Sequence, residues 1–306
     1  MTRYHQPLTQ DFFDRQWRKA PALFRAAVDS ELLFREWPAH FSAWCRPPAQ
    51  ARLFLRTEST RTGSAQAYRL SDPADAPELF DCYADEPLTI LLNDVQNVAA
   101  DVHALRSSLG VGRTWRYDDI VATLSKVDSG IGYHAGHEDS VIVQLSGKRL
   151  WRLWPPAVVP EIYRWVLLGY PLKPSEPLTK PGTAPLFECT LEAGDILYIP
   201  PLFPHEGVTL EQSVSLSIGW AGISVFRLLL SMFGEFPPLA MEVALNHPEA
   251  FFALLDDPPC EAPSASEAMF ESIRDRLELL GRAGPSADDV RQFLGALFCG
   301  ARQLRR

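Results

Sequence analysis

Between residues 85 and 220, apolar and polar positions come in short runs broken by Gly and Pro: "LTILLNDV", "SVIVQL", "RLWRLW", "DILYIPP" and "SVSLSIGW". β-Branched and aromatic residues dominate these runs, and runs of that length bounded by turn residues predict strands. After Gly222 the spacing changes. Phe226, Leu229 and Leu230 share one helical face, and Met269, Ile273, Leu277 and Leu280 recur at three- and four-residue intervals, so residues 223–306 are expected to be helical. The segment "DDPPCEAPSAS" punctuates that region as a linker, with Ser264 or Ser266 placed to cap the helix that follows. Residues 1–84 are mixed, with helices predicted in "TQDFFDRQWRK" and "SELLFREW". The core at 85–222 has several short strands and no long helices between them, which favours an antiparallel sandwich or barrel over a doubly wound parallel sheet.

Composition narrows the classes of partner. A chain of 306 residues that is 46% hydrophobic can bury a large core. Its net charge of −9 repels nucleic acid and anionic membrane, whereas an acidic cleft suits a basic polypeptide. The five cysteines, Cys45, Cys82, Cys189, Cys260 and Cys299, form no CxxC pair, and read as reduced thiols of a cytoplasmic protein. No apolar run has the length of a signal peptide or a membrane span, so neither export nor membrane insertion is expected.

Polar groups interrupt the strands in two places. The first is "SGIGYHAGHEDSVIVQL", where His134, His137, Glu138 and Asp139 crowd ahead of an apolar run. The second is "EAGDILYIPPLFPHEG", where a proline-stiffened loop delivers His205. Two imidazoles and a carboxylate that leave positions open suit non-heme Fe(II), and in a jelly roll such ligands come from different strands.

The run "WRYDDIVATLSKVDSGIGYHAGHEDSVIVQLSGKRLWRLW", with "LEAGDILYIPPLFPHEG", "SVSLSIGW" and the N-terminal "FFDRQWRKAPALFR", resembles the JmjC-type cupin-like oxygenases. Within them it is most similar to the bacterial ribosomal oxygenases that hydroxylate an arginine of a large-subunit ribosomal protein. The resemblance covers residues 8 to 222 and implies a double-stranded β-helix (jelly-roll) core with a helical dimerisation region after it. It also implies Fe(II), 2-oxoglutarate and a protein or peptide substrate, hence an oxygenase that forms a homodimer. Carried over by position, the metal histidines are His134 and His205, and Arg149 grips the far carboxylate of 2-oxoglutarate in a two-bond fork. Ser217 would touch the same cosubstrate, while Trp151 and Trp154 read as packing residues.

One position departs from the pattern. The family places an aspartate two residues after the first histidine, because residues i and i+2 of a strand point the same way; here that position is Gly136. Four readings stay open. In the preferred one, a bulge lets His137 and Asp139 form a shifted pair, with Asp139 as the ligand. In the second, Glu138 reaches back to the metal. In the third no carboxylate binds, as in related halogenases in which a small residue frees a site for chloride. In the fourth the site has decayed and the protein only binds a partner.

Overall fold

The computed structural model describes residues 8–28, 37–55, 67–83, 85–100, 117–171 and 174–222, with short pieces between 102 and 109 and between 224 and 254. The helices expected around Met269 to Leu280, the linker and its caps Ser264 and Ser266, Cys260 and Cys299 lie outside the described residues. So does most of "SELLFREW", whereas "TQDFFDRQWRK" contains helix α1 (Gln10–Arg15), with Thr9 as its N-cap.

The strands are β1 (Ala22–Phe24), β2 (Gln50–Leu55), β3 (Ala67–Arg69), β4 (Leu88–Asn93), β5 (Tyr117–Ser125), β6 (Asp139–Leu153), β7 (Phe187–Leu191), β8 (Ile196–Ile199) and β9 (His205–Trp220). They make one antiparallel sheet in the order β1-β8-β6-β9-β5-β4-β2-β3, with β7 also on β6. This is a mainly β, jelly-roll architecture, as expected. By contact, the chain divides into one unit of residues 1–111, 117–159 and 175–221 and another of 112–116, 160–174 and 222–306. In the second unit, Phe252 packs its ring on Tyr170 and Phe226, each with centroids 4.8 Å apart.

"SVIVQL" and "RLWRLW" are halves of one 15-residue strand, β6, where the sequence suggests two. The polar "SGK" between them marks a change of partner: residues 140–143 pair with β8 and residues 149–153 with β7, while β9 follows along the other edge. Register shifts between Gln144 and Arg149 absorb the bend. Gly147 sits there at φ +65°, and a Cβ at that position would collide with the Gln212 carbonyl.

Alternation then sorts the side chains. Val141, Val143, Leu145, Tyr198, Val214, Leu216 and Ile218 join Phe12 and Trp17 on one face, where the Trp17 indole stacks on Tyr198 at 5.1 Å. Ile142, Trp151, Leu153, Leu197, Ile199 and Phe203 pack on the other. The N-terminal segment therefore seals the outer face and leaves the inner face to the site.

Gly147→Ala should lower stability by about 1–3 kcal/mol, the usual cost of a strained backbone conformation. The midpoint of urea unfolding reads this, and a wild-type midpoint would mean that the bend tolerates a side chain.

Candidate active site

The site begins with a backbone pairing. His134 and His205 form an isolated antiparallel bridge and exchange both main-chain hydrogen bonds, at 3.0 and 2.8 Å. Residues paired this way project their side chains to the same side of the sheet. The two imidazoles accordingly meet edge to face, with centroids 4.3 Å apart. Each ring is then pinned by the carbonyl two residues before it. His134 Nδ1 lies 3.0 Å from the Gly132 oxygen, and His205 Nδ1 lies 2.8 Å from that of Phe203. A carbonyl only accepts, so each Nδ1 carries the proton and each Nε2 keeps its lone pair, the form that binds metal. Burial pushes the His205 pKa down to about 3, helped by His134 and Arg149. It also lowers that of His134, against the opposing pull of the Gly132 carbonyl and Glu138. Both rings are neutral at pH 7.

Arg149, on the second half of β6, is 3% exposed. Its guanidinium stands 5.1 Å from the Trp151 ring, which lies 5.9 Å from His205. Among the described residues it makes only long hydrogen bonds, of 3.4 Å, to Ser215 Oγ and the Gly207 carbonyl, and its Nε has no partner there. No carboxylate pairs with it among the described residues, and burial alone lowers its pKa to about 10. An unpaired buried cation is costly, so the pocket suits an anionic ligand. Thr209, opposite Arg149 in the ladder, and Ser213 also bury hydroxyls without partners among the described residues.

Asp139 requires a correction. The bulge that would turn it toward the histidines is absent, because β6 pairs with β9 from Asp139 to Gln144 without a shift. Its parity sends it to the outer face with Val141 and Val143. There Tyr198 Oη donates to Oδ1 at 2.6 Å and Arg18 Nε to Oδ2 at 3.2 Å. The buried phenol is pushed well above its usual pKa, first by burial and then by Asp139, and stays a donor. His137 Nδ1 lies 3.1 Å from Glu138 Oε1. The Glu138 carboxylate itself lies where a Gly136 side chain would go, since a Cβ on Gly136 would collide with Oε2. Among the described residues, no three His, Cys, Asp or Glu side chains are gathered closely enough to hold a metal.

Residues 104–228 match the family model of the JmjC domain. The chain is 27% identical over 233 residues to the ribosomal protein uL16 3-hydroxylase of Escherichia coli, covering 74% of this chain and 56% of that protein. It is 32% identical over 146 residues to the bifunctional lysine-specific demethylase and histidyl-hydroxylase NO66 of Dictyostelium discoideum, covering 46% and 26%. The chain thus spans little more than half the length of the first relative and about a quarter of the second. The X-ray structure of E. coli YcfD superposes with a TM-score of 0.60 at 23% identity, covering 94% of this chain and 70% of that one. The ribosomal oxygenase YcfD in complex with cobalt and 2-oxoglutarate superposes with a TM-score of 0.57 at 23% identity, with the same coverage.

Within the matched region, the structure brings His134, His205 and Arg149 to one face and leaves Asp139 on the other. Ser217 lies further along β9, and Ser215 is the hydroxyl that Arg149 reaches. The sequence carried a signal for Ser215: in "SVSLSIGW", Ser213, Ser215 and Ser217 alternate with the core residues Val214, Leu216 and Ile218, which predicts a polar inner row. Trp154 packs edge to face on Tyr133 at 5.3 Å and donates to the Thr183 carbonyl, in keeping with a packing role.

Asp139→Ala removes the carboxylate that Tyr198 Oη and Arg18 Nε donate to and should cost about 3–5 kcal/mol of stability, the usual penalty for breaking a buried pair. Denaturant unfolding would show the loss, and Mn(II) titration of the folded variant should give wild-type affinity. Metal binding abolished in a well-folded variant would return Asp139 to the site.

Proposed function

We propose that the chain is an Fe(II)- and 2-oxoglutarate-dependent oxygenase that hydroxylates a protein side chain. The observation that carries this reading is the pairing of two neutral, Nε2-free imidazoles with a buried arginine that has no acidic partner among the described residues. His134 and His205 would hold the metal, and Arg149 the far carboxylate of 2-oxoglutarate. When bound, Fe(II) and 2-oxoglutarate supply with O₂ the oxidation of a C–H bond, one oxygen atom entering the substrate and the other the succinate formed with CO₂.

The chain's own residues do the rest. The carbonyls of Gly132 and Phe203 fix the tautomer and aim of each imidazole. Arg149 binds the anion and gains the partner it lacks, and Trp151 holds the guanidinium against one wall. The apolar residues Ile142, Leu197, Ile199 and Phe203 exclude water around them.

A ribosomal protein is the substrate class this reading favours. The curated relatives include a ribosomal protein hydroxylase, and a net charge of −9 suits a basic polypeptide. A cytoplasmic setting fits the same substrate. The vacant, halide-accepting reading of Gly136 loses ground because Glu138 fills the space. A homodimer built after residue 222 belongs to the proposal and rests on the apolar stripes of "FRLLLSMF" and "PPLAMEVAL", most of which lie outside the described residues.

Arg149→Ala should weaken metal-dependent 2-oxoglutarate binding at least thirty-fold, corresponding to the ~2–5 kcal/mol that follows truncation of one partner in a buried charge pair. Calorimetry measures this, and unchanged binding would refute the role of Arg149. With Fe(II), 2-oxoglutarate and a ribosomal protein extract, mass spectrometry should find one oxygen atom added to a protein in step with succinate release; succinate without added oxygen rejects the substrate class. Light scattering should report twice the mass of the 306-residue chain, and a monomer at micromolar concentration would remove the dimer.

A further inference from the structure

We propose that a groove beyond the Arg149 end of the inner face docks a segment of the protein substrate in which lysine or arginine stands beside apolar residues; this rests on the protein-substrate reading above. The groove, of about 610 Å³, lies between the helix Ala76–Cys82, the turn that follows β5, and Gln212 of β9. Its position follows from the ladder. Asp128, on its wall, donates its amide to the Thr209 carbonyl, and Thr209 stands opposite Arg149. Gln212 lies seven residues beyond His205 along β9 (212 − 205), roughly 20 Å of strand. One side chain cannot both fill the groove and reach the histidines, so what binds here is a different part of the substrate from the part that reacts.

Two independent features give the groove its chemistry. The first is apolar surface left in water. Phe80, Pro87 and Val127 line the groove, and Val127 is 51% exposed. Tyr83, whose carbonyl accepts from Lys126 Nζ, and Leu210, which follows Thr209, are 41% and 43% exposed. Three of the six large apolar side chains exposed among the described residues therefore gather at this corner, as they do at surfaces that bind a partner.

The second feature is charge. Asp81, Asp85, Glu86 and Asp128 line the groove with one cation, Lys126, for a net charge of −3 (four carboxylates, one ammonium). Asp81, Asp85 and Glu86 enter no salt bridge among the described residues. In sequence, "SDPADAPELFDCYADEP" at 71–87 carries six acids and no base, −6 against −9 for the whole chain. Such a field attracts a cationic partner. Lys126 shows how an ammonium seats here, with Nζ 4.7 Å from the centre of the Phe80 ring and a hydrogen bond to the Tyr83 carbonyl. A segment that sets Lys or Arg beside apolar residues fits both features: the carboxylates take its charges, and Phe80 and Val127 its aliphatic stems.

The test is fluorescence anisotropy of a fluorescein-labelled octapeptide of alternating Lys and Leu, titrated with the metal-free, full-length chain. Asp81→Asn combined with Asp85→Asn and Glu86→Gln should weaken binding tenfold or more, and high salt should do the same to the wild type. Asp14→Asn with Glu176→Gln and Glu192→Gln removes three charges elsewhere and should change binding less than threefold. Val127→Ser should weaken it threefold or more. Thermal melting of each variant separates these effects from misfolding. With Fe(II), 2-oxoglutarate and ribosomal protein extract, the groove variant should raise the apparent KM at least fivefold at unchanged kcat. Wild-type peptide affinity in the groove variant, equal losses in the two triple variants, or an unchanged KM overturns the docking groove and leaves the oxygenase reading standing. A chain that binds the peptide in the groove yet hydroxylates nothing overturns the oxygenase reading instead.

Discussion

Two main-chain hydrogen bonds between His134 and His205 organise this protein. They join segments that lie 71 residues apart in sequence (205 − 134) and force the two imidazoles onto one side. Much of the surrounding fold serves that pairing. The long ladder of β6 and β9 brings His205 to the end of β6, opposite Leu153. The loop before His205 is stiffened by Pro200, Pro201 and Pro204 and tied to Gly136 through Leu202. Because β6 bends at Gly147 without stopping, one strand carries both the outer anchor at Asp139 and the inner cation at Arg149.

Burial gives the inner face its electrostatic character. It strips water from both imidazoles and from the guanidinium, lowering all three pKa values, yet the rings become neutral while the arginine stays charged at pH 7. A cation without an acid partner among the described residues, walled by hydroxyls and an indole, is a poor structural element and a good receptor for a carboxylate. Stability is secured elsewhere, by the Asp139–Arg18–Tyr198 contacts and the aromatic cluster of Phe12, Trp17 and Tyr198 on the outer face.

Glu138 and Asp139 show how much one step along a chain decides. Asp139 enters the regular ladder and is committed by strand parity to the outer layer, where its oxygens are satisfied. Glu138 stands just before the ladder, against Gly136 and Gly219, and pairs with His137. Composition at the two positions is nearly the same, and their surroundings give them different chemistry.

The strand runs and the helix at Gln10–Arg15 were legible in the sequence, because they depend on local periodicity. The inner row of hydroxyls was present in the same alternation, in "SVSLSIGW". Tertiary structure alone decided the continuity of β6 through "SGK", since whether a polar break is a turn or a bulge depends on the strand that lies beside it. It also decided the fate of the acidic pair. Sequence places Glu138 and Asp139 equally near His134, and only the register against Trp220, the hydroxyl of Tyr198 and the space at Gly136 and Gly219 assign one to each face.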